Sequence, residues 1–200
     1  MHGKDDETMS SRMLMRTVAL GLVLIIGFGG STVAIAEGEL DVPLFDGMGH
    51  HHREVTTSSP VAQRYFDQGL IWYYAFNHDE AIKSFKKAAS LDPDCAMAWW
   101  GVSLSEGPNY NDPEMTEARS SAAWDALQKA LARVGNTTAL ERALIEALAH
   151  RYAKPWPEDR TALDQAYADA MAKVWAAYPN DSDVGALYAE SMMVQNPWKL

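Results

Sequence analysis

The sequence predicts an all-α fold, a solenoid of antiparallel helix pairs behind an N-terminal signal peptide and an extended leader. Three observations predict it. From Ser59 onward, apolar residues recur at helical spacing in Ala-rich runs with almost no β-branched stretches. These runs are mostly joined by short turns and come at intervals that suggest a repeat architecture. Residues 62–94 also place small, aromatic and proline residues where two crossing helices need them.

The first 36 residues are set apart from the fold. Lys4, Arg12 and Arg16 precede the apolar run 17–28, and Ala34-Ile35-Ala36 supplies the small residues that a signal peptidase reads. Cleavage before Glu37 and export to the periplasm or the medium are expected. The apolar run is shorter than the roughly 20 residues of a bilayer span, so membrane contact is expected only if the segment is retained as an anchor. Residues 37–58 form the leader and 59–200 the repeat domain. The last run, "DVGALYAESMMVQ", is apolar and lacks the polar capping helix that ends a solenoid, so the array is expected to be a truncated one.

Charge narrows the partners. The chain has 27 acidic and 17 basic residues, a net charge of −10, and residues 1–36 contain three of each sign. That surplus of acid argues against nucleic acid, whose phosphates demand clustered Lys and Arg. Lys83, Lys86 and Lys87 are the one basic cluster, and the helical pattern puts them on a solvated face. Cys95 is the sole cysteine, so no intrachain disulfide supports the fold, and burial as a small hydrophobe is expected.

Each element can be justified in order. Helix A of the first pair spans about 60–75. Asn77, with Glu80 three residues on, caps helix B, and Asp92 is expected to do the same for the next helix, with Pro93 in its first turn. "DCAMAWWGVSLSEG" (94–107) supplies the second helix A, followed by the long loop "GPNYNDPE" and a helix B over roughly 114–134. "TALERALIEALAHRYA" (138–153) is a third helix A. "TALDQAYADAMAKVWAAYPND" and "DVGALYAESMMVQ" complete the series.

With Ala62 as position 1, Tyr65 falls at 4, Gly69 at 8, Trp72 at 11, Ala81 at 20, Phe85 at 24, Ala88 at 27 and Pro93 at 32. This spacing is that of the tetratricopeptide (TPR) repeat, with Gln68 at position 7, where Leu is usual, as the departure. Together with "GMGHHHRE", "FNHDEA" and "DPDCAMAWWG", it makes residues 43–113 resemble a group of exported bacterial TPR proteins with a His-bearing leader. Their activity is not settled.

The resemblance implies a concave groove for a protein or peptide, lined by Gln63, Phe66, Leu70, Tyr73 and Tyr74, with Met97 and Trp100 from the second pair. Aromatic side chains there offer large contact area at little entropic cost. No basic clamp for a C-terminal carboxylate is present. A scaffold of this kind is the first expectation for function. The alternative is a metal-binding protein or metal-dependent enzyme. Three of the six histidines stand together at 50–52. A leader folded back along helix A would bring His50 and His52 towards His78, with Asn109 or Asn111 near, a set suited to zinc or copper. No nucleophile triad, phosphate-binding loop or paired-carboxylate arrangement points to other chemistry.

Overall fold

The computed structural model describes residues 41–198. The expected signal peptide and its cleavage site lie outside the described residues. Among the described residues, seven α-helices follow the leader: α1 (Pro60–Tyr74), α2 (His78–Leu91), α3 (Ala96–Glu106), α4 (Glu117–Leu131), α5 (Ala139–Leu148), α6 (Thr161–Ala177) and α7 (Ser182–Met193). Among the described residues there is no strand, and no helix is long and apolar enough to cross a membrane. Each helix packs on the next, and α1 also meets α3, which meets α5. The odd-numbered helices therefore make the inner layer and the even-numbered ones the outer layer of a helical solenoid.

Local chemistry explains most boundaries. Ser59 caps α1 by accepting from the Ala62 N–H at 3.2 Å, and Pro60 occupies the first helical position, where its missing N–H costs nothing. Thr138 and Glu141 form a reciprocal capping box on α5. Asn77 caps α2, as its sequence position indicates.

Three expectations are corrected. Asp92 does not cap the third helix. Its carboxylate accepts from Thr57 Oγ1 (2.6 Å), the Ser58 N–H (2.8 Å) and the Asp94 N–H (3.2 Å), and these bonds hold it below the usual carboxylate range. Pro93 consequently sits in a turn, and α3 starts only at Ala96. Helix α4 is shorter at its start than expected because Thr116 caps it. Arg119 in its first turn is spent on the preceding loop, donating to the carbonyls of Glu106, Gly107 and Glu114 and to Asp112. Lys87, placed on the solvated face by its spacing, is buried, whereas Lys83 and Lys86 are exposed.

The core is centred on Phe85. Its ring lies 5.4 Å from that of Phe66, and it presses on Gly69 of α1 and Gly101 of α3. A Cβ on either glycine would stand 2.6 or 2.5 Å from ring atoms, so both positions require the missing side chain. Cys95 is buried nearby as expected, and burial pushes its thiol up to about 11.

Candidate functional site

The leader decides what the inner face offers. Its first limb runs up α1: Tyr65 donates its hydroxyl to the Val42 carbonyl at 2.7 Å, and Phe45 packs edge-on against Trp72. Gln68 accepts from the Phe45 N–H (2.9 Å) and donates to the Pro43 carbonyl (3.0 Å). Gly47 and Gly49, at φ 79° and 93°, reverse the chain in a conformation that other residues resist. The second limb then returns down α1. His51 meets Tyr74, His52 meets Asp67, and Gln63 takes the Val55 N–H while donating to the Arg53 carbonyl.

Contacts with distant helices lock this limb in place. Arg53 Nη1 reaches Asp181, which caps α7, and Asp183 within it, both at 3.0 Å. The Thr56 N–H and hydroxyl each donate to Glu141 of α5 at 2.6 Å. The leader thus lies across α1, α5 and α7, where an extended partner was expected.

That arrangement corrects the expected groove. Phe66, Leu70 and Met97 have no exposed surface, Trp100 has 1 % and Tyr73 6 %, so these five are core. Gln63 is engaged by the leader's backbone, and Tyr74 donates its hydroxyl to Asp183 at 2.9 Å. Sequence reasoning missed Gln68, Asp67 and Arg53 as the residues that hold the leader. The signal for Gln68 was its departure from the repeat pattern, since a buried amide there is needed only if backbone must be bound.

The histidines are not brought together as a metal set. Among the described residues, no three His, Cys, Asp or Glu side chains gather to hold an ion. The leader does fold back along α1, but His50 is exposed, and His52 gives its Nδ1 to Asp67 at 2.8 Å. His78 packs edge-on against Tyr73 and Phe76 instead, and burial holds it below its ordinary 6.5.

A pair of clefts lies open at the turn between α1 and α2. Phe76, His78 and Asn109 line both. One cleft, about 300 Å³, is walled by Tyr73, Tyr74, Leu187 and Met193, with Glu190 on its α7 side. The other, about 410 Å³, is polar, with Asp79, Glu106, Asp112 and Asn111 around it. Burial raises the Glu106 carboxyl above its usual range.

Two features mark this place. Phe76 ends α1 in a Schellman turn: its N–H bonds to Tyr73 O, and the Asn77 N–H bonds to Trp72 O at 2.9 Å. The position requires φ 59°, normally the province of glycine, yet an aromatic residue half exposed to solvent occupies it. Residues held in such sparsely populated backbone regions cluster at functional sites. The second feature is polar. Asn109 is buried, and its Oδ1 accepts from the N–H groups of Asn111 and Asp112 at 3.0 Å. Its Nδ2 donates to no group among the described residues.

The Glu190 carboxylate, whose oxygens have no accessible surface, has the buried Arg151 guanidinium as its cation. Arg151 Nη2 lies 3.5 Å away but gives its hydrogen bond to the Pro108 carbonyl at 2.6 Å, and neither Glu190 oxygen accepts one. Burial raises the Glu190 carboxyl above its ordinary range, opposed by Arg151.

The described residues form a helical-repeat solenoid with open clefts at the α1–α2 turn. Comparison with known families agrees at the level of the first helix pair: the family model of the tetratricopeptide repeat matches residues 62–95. No curated protein and no solved structure matches the chain.

Proposed function

We propose that this protein is an exported scaffold that binds a protein or peptide segment at the cleft between the α1–α2 turn and α7. Repeat solenoids bury their own core and leave an inner surface for partners. Here the leader takes most of that surface, and the cleft beyond His51 is the part left open. The observation that carries the reading is Phe76, an exposed aromatic residue held at positive φ on the rim of both clefts. Export rests on the basic residues, apolar run and small-residue site of 1–36, and is tested by the N-terminal mass of the mature protein.

Peptide display tests the binding site. Sequences selected on the wild type should be lost on Ala189→Trp, which fills the cleft from an exposed position on α7. Selected peptides that bind both proteins equally would place binding elsewhere.

A further inference from the structure

The apolar cleft takes its walls from two helices whose direct contact is slight. We propose that the leader is the clip that sets its width, so that the cleft forms only while the leader is docked. This deepens the peptide-binding reading above and rests on it.

One wall is the end of α1, with Tyr73 and Tyr74, and the other is α7, with Leu187, Ala189 and Met193. Between these helices the described residues show one hydrogen bond, donated by the Tyr74 hydroxyl to Asp183 at 2.9 Å. The leader supplies the rest, and Arg53 alone spans the gap. Its backbone is held by α1, with the N–H donating to Asp67 at 3.2 Å and the carbonyl accepting from Gln63 at 2.8 Å. Its guanidinium is held by α7 through Asp183 and the cap Asp181. His51 fills the corner, its ring 5.6 Å from that of Tyr74 and its Nε2 3.3 Å from Asp183 Oδ1.

Asp183 is therefore shared between the clip and the cleft. Its Oδ2 takes Arg53 and its Oδ1 takes Tyr74, a wall residue. Without the guanidinium, Asp181 and Asp183 lie together with no cation, and hydrating them means parting α7 from α1. Arg53 and His51 are thus positioning residues, which act on a partner through Tyr74 and α7. Walls fixed in advance spare a partner the cost of ordering them. By linkage, a bound partner must tighten the leader by the same factor.

Spin labels at Ala75→Cys and Met192→Cys, both exposed, read the separation of the walls in the intact protein, in which Cys95 is buried. One narrow distance is expected. Arg53→Ala should broaden it and weaken display-selected peptides about tenfold, within the usual range of such couplings. Arg53→Lys should restore part of both. Tyr74→Phe, which removes one oxygen and keeps the wall, should broaden the distance less. His52→Ala should leave it unchanged, because His52 bonds to Asp67 of α1 and not to α7. In the wild type, a selected peptide should slow hydrogen exchange of the Val55 and Thr56 N–H groups in the docked limb.

An unchanged distance in Arg53→Ala, or equal broadening in His52→Ala, would overturn the clip whatever the protein binds. Full peptide affinity in Arg53→Ala would overturn it too. The distance measurement needs no peptide, so the clip and the peptide reading fail separately. If Arg53→Ala loses helix content by circular dichroism, Tyr74→Phe and Arg53→Lys decide the matter, and unaltered distances in both would overturn the clip.

Discussion

Arg53 and Asp183, 130 positions apart in the chain, meet across the inner face with Nη1 3.0 Å from Oδ2. The contact ties the leader to the start of the last helix, so an extended segment without secondary structure of its own becomes part of the solenoid. Both side chains are about nine-tenths buried, and Asp183 also accepts from Tyr74. Arg53→Ala should therefore cost about 3 kcal/mol, because a buried carboxylate loses its cation. Urea unfolding measures it. Arg53→Lys, a point charge in place of a planar fork, should recover only part of the loss. An unchanged unfolding free energy in Arg53→Ala would mean that the leader is not held in this way.

Phe85 makes a second coupling. Gly69→Ala and Gly101→Ala should each destabilise by about 1–3 kcal/mol through overpacking against its buried ring. Since both press on the same ring, the double variant should cost clearly less than the sum. Additive losses in thermal or chemical melts would show that the two contacts are independent.

His52 predicts a pH dependence. Its hydrogen bond to Asp67 raises the imidazole pKa above the ordinary 6.5. A raised folded-state pKa stabilises fully below 6.5, and that stabilisation fades as pH rises through the folded value. The difference in melting temperature between wild type and His52→Ala should be larger at about pH 5.5 than at about pH 8. The side chain is exposed, so the effect should be small and should shrink with salt. A difference that grows with pH would contradict the assignment.

Phe76 is expected to trade stability for function. Phe76→Gly removes the cost of a bulky residue at φ 59° and should raise unfolding stability by about 1 kcal/mol. The same change should weaken peptides selected on the wild type, because the rim aromatic is gone. A destabilised glycine variant would show that the ring contributes packing instead.

The first helix pair was legible because its determinants are local. Ser59 and Asn77 as caps, and small residues at Gly69 and Ala81, each follow from neighbours within a turn or one helix crossing. Boundaries failed where a side chain serves a distant segment. Asp92 read as a helix cap because Asp before Pro usually is one, but the Thr57 hydroxyl and the Ser58 N–H of the leader, 35 and 34 positions away, claim its Oδ2. The expected groove failed for the same reason: position within the repeat identifies the inward face of α1, and only the path of the leader decides whether that face is free.

The sequence by itself determined the helical class, the pairing of successive helices, the acidic charge and the burial of Cys95, because periodicity, capping and hydrophobicity act over short separations. It also held the oddity of Gln68 without its explanation. Only the tertiary structure decided where the leader lies, that five expected groove residues are core, and that His50, His52 and His78 stay apart. It also brought Asn109 of a loop and Glu190 of the last helix to one cleft. Such meetings depend on the stacking of all seven helices, which no local pattern encodes.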